Sequence, residues 1–162
     1  MQKTIVQLPA IKLVGIKCRT NNTCEMNSET AQIGSLVHRY FMDNVSSKII
    51  NRANPGVTYC VYTEYESDFT GDYTCLIGEE VESFDDMPEG LFSIIIPSQK
   101  HVKLTNGPGI MPALCITSWK QIWAMSSEKL GGEREFLADF ELYDERSYDP
   151  QNAVFDIYVG IK

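Results

Sequence analysis

The sequence predicts a single α+β domain built from a duplicated strand-helix-strand-strand unit. Three observations support it. The chain of 162 residues is long enough for one hydrophobic core. Its segments alternate between period-two and helical patterning, and the element order of the first half, about residues 1–84, recurs in the second, about 90–162. One domain is expected over 1–162, with the helices on one face of a largely antiparallel sheet and a ligand groove on the other.

IVQLPAIKLVGIKC, Ile5 to Cys18, reads as a strand made irregular near its start by Pro9. NSETAQIGSLVHRYFMDNVSSKI follows as a helix. Asn27 or Ser28 would cap it, and Ile33, Leu36, Val37, Tyr40, Phe41 and Val45 make its apolar stripe. Asn54-Pro55-Gly56 closes that element. Val57 to Tyr65 and Asp72 to Val81 then form two strands joined through ESDFTGD.

The second half opens with Gly90 to Leu104, another extended run. The Pro/Gly-rich TNGPGIMP loop leads into a helix from about Met111 to Gly131-Gly132. EFLADFELYDE and AVFDIYVGIK are the last two strands, with SYDPQN as the turn between them. Laying the middle strands of the halves on one another by sequence sets Glu64 of YCVYTEY against Glu141 of FLADFELY.

Composition excludes several functions. Fourteen basic against 22 acidic residues give a net charge of -8, which repels nucleic-acid phosphates and anionic lipid and attracts cations. No segment has the run of apolar residues needed to span a bilayer, and no cleavable leader is evident. The five cysteines are odd in number, scattered and free of CxxC spacing, as expected for reduced thiols in a cytoplasmic protein. Two histidines, neither in HExxH, and an acidic run (Glu79 to Glu89) without calcium-loop spacing predict no metal site. NGPGIMP lacks the Lys-Ser/Thr of a phosphate loop, so no cofactor is expected.

Candidate binding residues come from the strand faces. Alternation puts Asp139, Glu141 and Tyr143 together, and in the last strand sets Asp156 and Tyr158 opposite the apolar Phe155, Ile157, Val159 and Ile161. If the apolar set packs on the helices, Glu141, Tyr143 and Tyr158, with Tyr62 and Glu64 from the first half, share the remaining face. Aromatic rings beside carboxylates suit a planar organic cation, while a wet sheet face gives the same pattern. Trp119 and Trp123, one helical turn apart, pack into the core or border the groove; Tyr40 and Phe41 pose the same question.

The stretches YTEYESDFTGDYTCLIGEEV and DFELYDERSYDP, with the terminal IYVGIK, resemble the GyrI-like effector-binding domains attached to AraC-type and MerR-type regulators. The similarity covers nearly the whole chain. It implies a duplicated domain whose central groove binds small molecules, often lipophilic cations, through aromatic residues and a buried glutamate. That glutamate carries over to Glu141, with Glu64 its rival. No helix-turn-helix flanks the domain, so it is expected to stand alone without direct DNA binding. Some relatives are hydrolases and some inhibit gyrase. A small-molecule hydrolase using the same pocket, or an acidic surface covering a protein partner such as a separate regulator, are therefore the alternatives to non-catalytic binding.

Overall fold

The computed structural model describes all residues, 1–162. Each half opens with two strands where the sequence pattern suggested one: β1 (Gln2–Leu8) and β2 (Ile11–Thr20) in the first, β5 (Phe92–Ile96) and β6 (Gln99–Gly109) in the second. Pro9-Ala10 and Pro97-Ser98 separate them. Proline offers no N–H to a ladder, so each pair breaks there. The remaining strands are β3 (Thr58–Thr63), β4 (Tyr73–Glu80), β7 (Ala138–Tyr143) and β8 (Ala153–Ile161). The predicted loop at Asn106-Gly107-Pro108 is instead the end of β6, carried past an irregularity between Asn106 and Gly109.

All eight strands form one antiparallel sheet in the order β1-β6-β8-β7-β3-β4-β2-β5. The order is pseudo-two-fold: β1, β6, β8 and β7 have β5, β2, β4 and β3 as counterparts about an axis between β7 and β3. The duplication is therefore present, with each half giving its leading strand to the other. β1 pairs with β6 of the second half, and β5 with β2 of the first.

This exchange rolls the sheet up. β1 and β2 stand six strand spacings apart in the order, roughly 29 Å in a flat sheet. A two-residue connection reaches only about 11 Å. Because Leu8 pairs with Gln99 and Ile11 with Ile96 in one continuous register, the two long segments form a single ribbon bent at the prolines. That ribbon carries the sheet round from one edge to the other. Its enclosed face holds Leu13, Val61, Leu76, Ile96 and Phe140 with no helix over them. Gly15 and Gly78, directly opposite one another, allow the close approach; a Cβ at Gly78 would lie 2.0 Å from the Val14 carbonyl oxygen.

The helices cover the other face. They are α1 (Asn22–Glu25), α2 (Ile33–Met42), α3 (Ala113–Trp123) and α4 (Ser127–Leu130). Leu36 and Tyr40 of α2 pack on Val14, Ile16, Cys75 and Ile77. Trp119 and Ile122 of α3 pack on Leu104, Phe155, Ile157 and Val159. The first long helix begins later than the Asn27 or Ser28 cap would put it. Asn27 is spent on a turn, its side chain accepting from Glu29 N. The Glu25 carboxylate caps α2 instead, accepting from Gln32 N and Ile33 N at 2.9 and 3.0 Å. No helix is long and apolar enough to cross a membrane.

Candidate functional site

A cavity of about 1080 Å³ opens between α2 and α3, over the central strands β3 and β7. It lies on the helix-covered face, not on the opposite face where the strand patterns placed a groove. The register gives the reason. Glu141 pairs directly with Ile157, so it points to the same side as the apolar set of β8, toward the helices. Tyr158 pairs with Phe140 and faces the enclosed core, where the two rings stack at 4.5 Å.

Glu141 sits on the cavity floor, 3% exposed. Its Oε2 accepts from Tyr62 Oη and from Trp119 Nε1, both at 2.7 Å. Its Oε1 accepts from Tyr143 Oη at 2.5 Å. Three donors on two oxygens is the arrangement that an ionised carboxylate, an acceptor only, can satisfy. Burial first, and the Glu141 charge among the further causes, hold the Tyr62 and Tyr143 hydroxyls well above their ordinary value, so they remain donors. Burial, with Glu141 next, likewise pushes the Cys115 thiol up.

Every one of those donors is neutral, and no ion pair in the protein includes Glu141. Asp139, two residues earlier on the same face, provides the contrast. It is also fully buried, yet Arg134 pairs with it at 2.8 Å while Tyr65 Oη and Gly160 N donate to it. One strand thus carries a carboxylate supplied with its cation and a carboxylate left without one, and the second borders the cavity. Apolar and aromatic side chains make most of the remaining wall, among them Ile33, Val37, Tyr73, Met111 and Ile116.

Glu141, Tyr143, Tyr62 and Trp119 therefore converge at one point. Trp123 stands at the mouth, 42% exposed, with its ring 6.5 Å from Trp119. On α2 it is Phe41, 61% exposed, that borders the cavity; Tyr40 is buried in the core beneath the helix. Glu64 lies outside the cavity, exposed beyond the end of β3 with φ 52°. Nor is it the counterpart of Glu141. Ile16 and Leu104 are equally spaced from the connector prolines; Ile16 pairs with Ile77, which pairs with Cys60, and Leu104 pairs with Ile157, which pairs with Glu141. The counterpart is Cys60, directly across the axis from Glu141. Cys60 shares the Tyr62 alternation and could have been read from it; Tyr65 and Tyr73, which also line the cavity, gave no such signal.

The integron-associated effector binding protein family (Cass2) matches residues 4–161. The chain belongs to that family, which is GyrI-like. It is 29% identical to YobU of Bacillus subtilis, named as a candidate transcriptional regulator, over 98% of this chain and 96% of YobU. It is 26% identical to the transcriptional regulator BrlR of Pseudomonas aeruginosa, spanning 99% of this chain but 56% of BrlR. Among solved structures, an integron cassette protein from the mobile metagenome of Vibrio cholerae superposes with a TM-score of 0.76 at 25% identity, over 99% of this chain and 95% of that one. SAV2435, solved bound to tetraphenylphosphonium, shares the fold at TM-score 0.76 and 18% identity, over 100% and 94% of the two chains.

Proposed function

We propose that this Cass2-family domain binds hydrophobic organic cations, without transforming them, in the cavity between α2 and α3. The observation that carries the reading is Glu141: a buried carboxylate, held by three neutral donors, at the floor of an aromatic cavity and lacking a cationic partner. A positive charge entering beside it gains an attraction that the apolar walls do not screen, and the rings of Tyr62, Tyr143 and Trp119 offer their faces and edges around it. The tetraphenylphosphonium held by SAV2435 is a ligand of this chemical class.

The regulator names of YobU and BrlR favour a sensing role for the bound state. Five free cysteines support a reducing, cytoplasmic setting. The acidic run Glu79 to Glu89 is not wholly surface, since Glu79 is buried beside Arg52, which weakens the acidic-surface alternative. Calorimetric titration with tetraphenylphosphonium and with an uncharged tetraphenyl analogue tests the proposal. Saturable one-site binding of the cation, markedly tighter than that of the neutral compound, is expected. Absence of binding, or equal affinity for both, rejects it.

A further inference from the structure

Three thiols lie side by side on the helix-covered face. Cys60 is on β3, Cys75 on β4 and Cys18 on β2. Cys75 is fully buried, its Sγ 3.7 Å from that of Cys60, which lines the cavity next to Glu141. Cys18 is only half-buried. It is the most exposed of the three, while Cys60 meets solvent only through the cavity.

The backbone separates the two pairings these thiols could make. Cys18 and Cys75 are directly opposite in the β2–β4 ladder. Directly opposite residues of antiparallel strands have Cα atoms about 4.5 or 5.5 Å apart, and both spacings fall inside the range a disulfide spans. Cys60 is opposite Ile77 and Cys75 opposite Tyr62, so Cys60 and Cys75 are diagonal neighbours. Diagonal positions are about 7–8 Å apart, at or beyond the limit for bridging without strand movement. The sulfurs of the second pair are already in contact, but the strand geometry favours the first.

We propose that Cys18 is a site of oxidation by hydroperoxides, resolved by Cys75 into a cross-strand disulfide. In the first step the Cys18 thiolate sulfur attacks the peroxide: an S–O bond forms, the O–O bond breaks, sulfur is oxidised to the sulfenic acid, and the departing alkoxide or hydroxide takes up a proton. In the second the Cys75 sulfur attacks the sulfenic sulfur. The S–S bond forms, the S–O bond breaks, and the oxygen leaves as water with the Cys75 proton. The assignment of roles follows the environments. The neighbouring Cys75 thiol lowers the Cys18 pKa below the ordinary thiol value, with burial opposing, whereas the neighbouring Cys18 and Cys60 thiols, and then burial, raise that of Cys75. The disulfide would draw the Cys75 sulfur away from Cys60 and so alter the support beneath the cavity floor.

Mild hydrogen peroxide treatment of the full chain, followed by thiol blocking and peptide mapping, tests this. A dithiothreitol-reversible Cys18–Cys75 linkage is expected in the native protein and in Cys60→Ser, and none in Cys18→Ser. A short peroxide pulse with dimedone should label Cys18 before any other cysteine, which needs no variant. A Cys60–Cys75 linkage, first labelling elsewhere, or absence of any disulfide after peroxide would overturn the assignment.

Discussion

Cys60 and Glu141 face each other directly across the axis that relates the two halves, each standing where the other would be if the halves were identical. The fold is duplicated, but the charge at its centre is not. On the proposed reading, a cation in the cavity would be drawn to the α3 side, where Trp119 donates to the same carboxylate.

That asymmetry makes Trp119 the reporter of binding. Adding tetraphenylphosphonium should change tryptophan emission in the native protein and in Trp123→Phe, and leave it nearly unchanged in Trp119→Phe. A signal that follows Trp123 instead would place the ligand at the mouth rather than the floor.

Tyr143 supplies the shortest bond to Glu141, donating to Oε1 while Tyr62 and Trp119 donate to Oε2. Tyr143→Phe removes that donor and leaves the carboxylate under-satisfied. Hydrogen bonds to charged groups contribute about 1.5–3 kcal/mol, so urea unfolding should show a loss of that order with an unchanged denaturant slope. A loss near zero would mean that water replaces the hydroxyl without cost.

His101 gives the protein an acid-sensitive step. It is fully buried, with its ring nitrogens 3.3 and 3.2 Å from the carbonyl oxygens of Gln99 and Ala138. Burial holds its pKa below the ordinary 6.5. The unfolded chain thus takes up a proton first, so the contribution of neutral His101 is present above 6.5 and is lost as pH falls through the lower, folded-state value. Melting curves of the native protein and His101→Gln should converge as pH is lowered through that window. Parallel curves would remove His101 from the account.

Much of this was legible in the residues. The alternation of DFELY put Glu141 and Tyr143 on one face, and the apolar set of β8 does pack on a helix. What alternation cannot fix is how two strands are registered against each other, and that alone decides that Glu141 shares its face with Ile157 and not with Tyr158. Pro9 was legible as an irregularity, but the exchange of β1 and β5 between the halves depends on pairing between residues far apart in the chain. The cap of α2 was missed for a related reason: Glu25 reaches it from outside the helix, beyond the reach of a local capping pattern. Glu64 matched Glu141 in letters, while the ladder matched Cys60 in space.

The central claim is that the charge of Glu141, rather than the shape of the cavity, selects the ligand. Glu141→Gln tests it with little rearrangement: the amide oxygen at the Oε2 position keeps the bonds from Tyr62 and Trp119, and the amide nitrogen can donate to a rotated Tyr143 hydroxyl. Calorimetry with tetraphenylphosphonium and its neutral analogue, on both proteins, is the direct measurement. Glu141→Gln is expected to lose roughly 1–3 kcal/mol for the cation, the worth of one charge-assisted contact, and far less for the neutral compound. Equal losses for the two ligands, or no loss for the cation, would contradict it.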